Sequence, residues 1–393
     1  CAPVLTAITA FTSLIGVGGA SLMSISMGRK EYRDAEQAMN QSLGLLLGIS
    51  LLLTAVALAA ERPLLYALGC SPAMYPYASG YFRIYILGTP AVLCGTGMNQ
   101  FVLAWGRARR GMLAVVLGAL VNTVLDPVCI FALDLGIEGA AIATVLAQYC
   151  VLAFVLAFLL SGKAVFRVRF QRPDFRVAGK ICRIGGLPFF IMLFDNLLVI
   201  SLNAVLRRYG GPELGDRYIS CAAVVQSFMV LVFYPAQGIT TGCGTLYGYH
   251  YGAGNDKKVM QVFRYVFFLC AGYMLVLCAA AQTVPELFAA IFVQDAGLVA
   301  LSAGCIRKYT LGLLGVAVQY AIVDGLTAMG QVRPALPVSF FRKILYLVCV
   351  FLLPVLGPLE NVFYAETISD LAGATVTVIG FAAVIAPRLR RQM

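Results

Sequence analysis

Residues 118–148 read GALVNTVLDPVCIFALDLGIEGAAIATVLAQ. The run sets Asn122 and Asp126 in apolar sequence, four positions apart and so on one face of a helix, with Pro127 directly after the acid. A carboxylate at that depth in lipid costs at least about 2.5 kcal/mol, so it faces a bundle interior or a wet cavity and marks an ion path. Pro127 cannot donate to the carbonyl of Thr123, so the helix is expected to kink or loosen beside the acid and free a polar backbone group. The stretch predicts a cation or proton site on a broken helix.

Composition gives this stretch its setting. The chain is 61% hydrophobic and 12% charged, with a mean hydropathy of +0.87, more apolar residue than a soluble fold of 393 residues could hide. An all-α, polytopic membrane protein follows. The twelve cysteines are spread singly, with no C-x-x-C pair and no histidine cluster, which indicates neither zinc nor a disulfide framework. The one histidine, His250, reads as a helix-end packing or hydrogen-bonding residue. H-E-x-x-H, G-x-S-x-G and G-x-G-D are absent, which excludes the common intramembrane and hydrolytic enzyme motifs. No cofactor is implied.

Eleven apolar runs reach the roughly 20 residues that a bilayer demands. They lie near 3–27, 39–60, 77–104, 111–133, 139–160, 185–206, 218–250, 259–282, 297–329, 335–356 and 361–386. Basic residues gather in alternate connections: Arg29, Lys30 and Arg33; Arg107, Arg109 and Arg110; the seven from Lys163 to Arg183; Lys257, Lys258 and Arg264; Arg333, Arg342 and Lys343; Arg388, Arg390 and Arg391. These hold 22 of the 29 Lys and Arg residues, a bias that marks the cytoplasmic face and puts the C-terminus inside. The net charge of +11 is thereby a topology signal and implies no nucleic-acid partner. Residue 1 then falls outside, in mid-span, and a first helix entering from the cytoplasm is expected upstream, for twelve spans in all.

An internal repeat supports that count. A shift of 224 positions aligns Gly18 with Gly242, Leu22 with Leu246, Gly28 with Gly252, Arg83 with Arg307, Tyr85 with Tyr309, Gly88 with Gly312, Gly106 with Gly330 and Arg109 with Arg333. Six spans separate equivalent points, so two six-helix bundles related by a pseudo-twofold along the membrane normal are expected, with a substrate cavity between them. The N-terminal lobe would be 1–160, a cytoplasmic linker 161–184 and the C-terminal lobe 185–393. The linker, rich in Val, Phe, Arg and Lys, reads either as an amphipathic segment on anionic lipid or as a solvated topogenic loop.

Gly16-x-Gly18-Gly19-Ala20 with Gly28, its counterpart Pro235 to Gly254, the Asn122-x-x-x-Asp126-Pro127 run followed by Leu135-Gly136-Ile137-x-Gly139-Ala140-Ala141-x-Ala143-Thr144, and Gly186-Leu187-Pro188 together resemble multidrug and toxic compound extrusion (MATE) transporters. The likeness is strongest to the DNA-damage-inducible bacterial subclass. It implies an oxygen-lined cation or proton site in the first lobe, to which Asn99, Asn122, Asp126 and Thr144 correspond. The subclass also has an aspartate on its first helix, which this sequence lacks. In other subclasses acids on the seventh and tenth helices contribute to coupling; Asp195 and Asp324 sit on those helices without matching the motif positions.

The other polar and small residues read more plainly. Glu366 and Asp370, like Asp195 and Asp324, read either as functional acids or as buried hydrogen-bonding or ion-pairing groups between helices. Gly16, Gly18 and Gly19, like Gly238, Gly242 and Gly244, let helices approach closely, and Gly18-Gly19 is no phosphate loop. Tyr81, Tyr85, Phe233 and Tyr234 read as interface anchors or core, while a cavity for lipophilic cations would use a few of them as stacking walls. The resemblance thus implies a secondary-active antiporter of a bacterial plasma membrane, monomeric and embedded in lipid, exporting organic, often cationic, compounds in exchange for Na⁺ or H⁺. A flippase for a lipid-linked oligosaccharide is the alternative; a more basic central cavity would favour it, whereas most Arg and Lys here lie in connections on one side.

Overall fold

The computed structural model describes residues 2–67, 74–161, 166–169 and 171–385. Lys163, Arg388, Arg390 and Arg391 of the expected cytoplasmic connections lie outside the described residues. Within them the chain is helical nearly throughout and forms no strand, as a backbone with no water to bond must be when it spans lipid singly. The helices are α1 (Ala2–Gly28), α2 (Tyr32–Ala59), α3 (Glu61–Ala67), α4 (Tyr75–Leu87), α5 (Thr89–Ala104), α6 (Ala108–Pro127), α7 (Gly136–Leu160), α8 (Phe175–Gly252), α9 (Asp256–Thr283), α10 (Pro285–Phe292), α11 (Ala296–Thr310), α12 (Leu313–Gln319), α13 (Gly325–Ala328), α14 (Val332–Leu356) and α15 (Tyr364–Gly380). Among the described residues nine helices are long and apolar enough to cross a membrane, or eleven if each of two bent pairs counts as one span. The long α8 is two spans, Phe175–Gly211 and Leu214–Gly252, broken where Gly211 takes φ 66° and ψ −167°.

The 224-residue repeat reappears as repeated local geometry. The two bent spans break by 43° after Leu87 and by 42° after Thr310, at the equivalent glycines Gly88 and Gly312. Lys30 (φ 65°) matches Gly254 (φ 67°), and Gly106 (φ 72°) matches Gly330 (φ 71°). Each of these four left-handed residues closes a helix in the same way, through bonds such as Glu31 N to Ser26 O at 2.9 Å and Asn255 N to His250 O at 2.9 Å. His250 thus serves a helix end through its carbonyl, while its ring packs edge-on to Tyr249. The aligned arginines behave alike too: Arg83 holds Glu61 at 2.7 Å and Arg307 holds Glu286 at 2.8 Å. That guanidinium, with the Ser79 and Tyr75 hydroxyls, keeps the Glu61 carboxyl below the usual carboxylate range.

The chain divides into two compact units after Met192. In the first, α1 packs on α2 and α5 around fully buried Met23, Met39, Leu46, Leu93, Met98 and Phe101. Small residues make this possible. A Cβ on Gly16 would lie 3.0 Å from the Gly97 Cα, one on Gly18 would overlap the Ile181 carbonyl oxygen, and one on Gly185 would overlap the Leu14 carbonyl. The second glycine set differs from expectation: a Cβ on Gly238 or Gly242 meets nothing within 4 Å, and on Gly244 only Ala328 at 3.7 Å. Close approach explains the first set and not the second, because the repeat copies backbone positions without copying the neighbours that press on them.

The connection ahead of Phe175 is strapped to α2. Asn40 accepts from Arg169 N (3.0 Å) and donates to Arg167 O (3.2 Å); Gln41 accepts from Asp174 N (3.1 Å) and donates to Arg172 O (2.6 Å). Gln37 adds a bond to Asp174 Oδ2 at 3.1 Å. Two side-chain amides therefore satisfy the backbone of Arg167, Arg169, Arg172 and Asp174 as a neighbouring strand would. We expect Gly185→Ala to destabilise the fold by about 1–3 kcal/mol through overlap with rigid backbone, and Gly242→Ala, unobstructed inside a helix, to be neutral or to stabilise by up to about 1 kcal/mol. Unfolding midpoints in detergent measure both.

Candidate functional site

Asn122 and Asp126 lie one turn apart on α6, and their side chains meet: Asn122 Nδ2 donates to Asp126 Oδ1 at 3.1 Å. The same amide reaches Thr144 Oγ1 on α7 at 3.5 Å, while the Thr144 hydroxyl donates back to Ala140 O at 2.9 Å. All three residues are half-buried. Asp126 Oδ2 and Asn122 Oδ1 take part in none of these bonds, so the cluster offers hard oxygen donors suited to Na⁺, or a carboxylate able to take a proton. Tyr81 on α4, read from the sequence as anchor or core, is close enough to feel the Asp126 charge, and it stacks on Tyr85 with ring centroids 5.9 Å apart.

The loosening implied by Pro127 takes a definite form. Pro127 has no N–H to give, Val128 N turns to Leu125 O, and Val128–Ala132 winds as a π-turn closed by Leu133 N to Val128 O at 2.9 Å. The start of α7 packs directly on this turn, since a Cβ on Gly139 would sit 2.5 Å from the Cys129 carbonyl oxygen. Glu138, not singled out in the sequence, lies across Gly80 of α4. Only the smallness of Gly80 could have signalled it.

Asn99 is elsewhere. Its Nδ2 donates to Gly111 O at 3.2 Å, at the opposite end of α6 from Asp126. Fifteen residues of helix separate Gly111 from Asp126, about 22 Å at the α-helical rise. The structure thus brings together Asn122, Asp126 and Thr144 and leaves Asn99 apart. The resemblance supplied the helix that carries Asn99 but no depth along it.

In the second unit Asp195 and Asp324 occupy different clusters, though Tyr320 is near enough to feel both. Asp324 closes a second π-turn, Tyr320–Asp324, and bonds Thr240. Asp195 forms an ion pair with Lys343. Beside it, Arg342 Nη1 lies 3.0 Å from Glu366 Oε1 and 2.6 Å from Asp370 Oδ1. Tyr309 donates its hydroxyl to Glu366 Oε2 at 3.3 Å. Arg342 and Lys343, expected in a cytoplasmic connection, instead lie well inside α14 with side chains only 14% and 7% exposed. Their partners sit on α8 and α15, far away in sequence, so counting basic residues along the chain could not separate them from a loop. The balance of two bases against three acids is also not the basic cavity that a flippase for an anionic lipid-linked sugar would call for.

These features define an all-α polytopic membrane protein whose spans carry bonded polar and charged groups. The chain belongs to the MatE family: the family profile, described as MatE, matches residues 1–128 and 192–352. Among relatives, the multidrug export protein MepA of Staphylococcus aureus (strain MRSA252) is 23% identical over 373 residues, covering 94% of this chain and 81% of its own. MepA of Staphylococcus haemolyticus (strain JCSC1435) is 24% identical over 376 residues, covering 94% and 80%. An outward-facing MATE family transporter of the MOP superfamily superposes with a TM-score of 0.91 at 22% identity, over 99% of this chain and 86% of that one. A MOP superfamily transporter from Pyrococcus furiosus Vc1 (DSM3638) does so at 0.90, also with 22% identity and with 99% and 86% covered. The family is one of multidrug transporters and not of enzymes, and its bacterial relatives agree with a multi-pass protein of a plasma membrane.

Removing Arg342 would strip Glu366 and Asp370 of the cation they share, and we expect Arg342→Met to cost about 3–5 kcal/mol. Lys343→Met should cost less, because its partner Asp195 keeps 51% side-chain exposure. Denaturant titration in detergent ranks the two.

Proposed function

We propose that the chain is a secondary-active antiporter, exporting organic, often cationic, compounds in exchange for Na⁺ or H⁺ taken up at Asn122, Asp126 and Thr144. The observation that carries this reading is the bonded Asn122–Asp126–Thr144 cluster set directly before the π-turn at Pro127. A π-turn is a strained winding found often at functional sites, and it can relax by passing its extra residue along the helix. An ion or proton on Asp126 neutralises the carboxylate that holds Asn122, and so alters the bonds that tie α6 to α7 beside that turn. Coupling follows only if the ion binds one access state better than the other, since equal affinity would shift nothing. The relatives' name, multidrug export protein, supports the direction and the class of cargo. The bias of basic residues supports a cytoplasmic C-terminus.

In proteoliposomes with separately imposed Na⁺ and H⁺ gradients, Asp126→Asn should abolish gradient-driven efflux of an organic cation while the protein stays monodisperse. Asn99→Ala, remote from the cluster, should leave efflux unchanged. Wild-type efflux from Asp126→Asn would remove the proposal.

A further inference from the structure

The helix pair α14–α15 is the repeat counterpart of α6–α7, since Ala108, the first residue of α6, maps onto Val332, the first of α14. The two pairs share a scaffold and carry different chemistry. Where α6–α7 holds Asn122, Asp126 and Thr144, α14–α15 holds Arg342, Lys343, Glu366 and Asp370.

Glu366 and Asp370 are one turn apart on α15, 7% and 0% exposed, and both lean on the same guanidinium nitrogen of Arg342. The groups facing them can be named helix by helix. Arg342, Lys343 and Tyr346 come from α14, and Tyr309 comes from α11, where Lys308 is engaged by Glu360 at 2.7 Å. α12, which packs closely on α15, contributes no titratable group. Lys343 is committed to Asp195 of α8. Two carboxylates therefore converge on one guanidinium nitrogen, and the five-group cluster of Arg342, Lys343, Asp195, Glu366 and Asp370 holds one acid more than it has bases. Two like charges held this close together in a buried place are unfavourable unless something neutralises one of them.

A second observation points to the same spot. Asp370 Oδ2 is buried with no protein hydrogen-bond partner among the described residues, and neither has the Nε2 of Gln319, a residue only 8% exposed. Gln319 lies on α12, on the stripe Gly312, Gly315, Gln319 that faces Asp370 and Gly373. A Cβ on Gly312, the bend glycine, would come 2.9 Å from the Asp370 Cβ, so the acid is seated against the break in its neighbouring span. Glu366 is better served, receiving both Arg342 and the Tyr309 hydroxyl.

We propose that Glu366 and Asp370 together bind one exchangeable proton, resting on Asp370, and that α14–α15 is a second titratable site of this transporter. The proton cancels the surplus charge without adding a third cation beside Arg342 and Lys343, which a bound Na⁺ would do. Its loss would leave Asp370 ionised against the bend at Gly312, where the added charge bears on the packing of α12 and α15. This site stands on the geometry of the second unit alone and holds whether or not Asp126 couples ions.

Infrared titration of the full chain in nanodiscs tests it. At neutral pH the wild type should show a protonated-carboxyl C=O component that shifts on labelling aspartate with carbon-13 and is insensitive to Na⁺. The component should persist in Asp126→Asn, which separates this site from the proposed coupling site. It should vanish in Asp370→Asn and equally in Glu366→Gln, because either change leaves one acid for one arginine; in Glu366→Gln the proton affinity should fall at least about tenfold, one pKa unit. The labelled, unmutated protein keeps the test decisive if a variant fails to fold. An aspartate label that leaves the component unshifted, its survival in both single variants, or its loss on adding Na⁺ at constant pH would each overturn the assignment.

Discussion

A charge carried into hydrocarbon must be met on a neighbouring helix, and that demand organises both units. Asp126 is met by the Asn122 amide, which also spans to Thr144 on the next helix. Asp195, Glu366 and Asp370 are met by Lys343 and Arg342. None of these contacts makes the fold stable in its own right, since a buried ion pair roughly offsets its own desolvation. Their effect is specificity: once a carboxylate is inside, only packings that bring its partner to it are tolerable. The polar groups thereby fix which helix faces meet, while close-packed glycines such as Gly16 against Gly97 fix how near the helices come.

Much of the scaffold is legible in the sequence because it depends on local or periodic features. Span lengths follow from bilayer thickness, and the bent spans at Gly88 and Gly312 were each contained in one apolar run. The 224-residue shift names, without any structure, the pairs Gly106 with Gly330 and Gly88 with Gly312 that turn out to share conformation. Asn122 and Asp126 could be set on one face because four residues of helix carry that information. Pro127 likewise announces a missing hydrogen bond.

What the sequence hides lies between helices. Nothing in the run around Asn99 says that its amide meets Gly111 and not Asp126, since depth in the bilayer depends on how two helices slide past each other. Arg342 and Lys343 look like loop residues until α15 and α8 supply their acids. Gly238 and Gly242 look like close-packing positions until the structure shows open space above them. The two units are alike in backbone and unlike in chemistry, and their π-turns make the same point. One follows Pro127 after α6, one ends at Asp324 between α12 and α13, and one, Phe381–Ile385, follows α15, at positions the repeat does not equate.

The proposed coupling requires that an ion or proton taken up at Asp126 act on the loosened turn behind it. Amide hydrogen exchange on the protein in nanodiscs measures this directly, because local opening is reported residue by residue. Saturating the site, by Na⁺ at fixed pH or by protons without Na⁺, should slow exchange across 122–133 in wild type and leave it unchanged in Asp126→Asn. Ion-dependent protection confined to residues beyond 193, with none at 122–133, would contradict the claim.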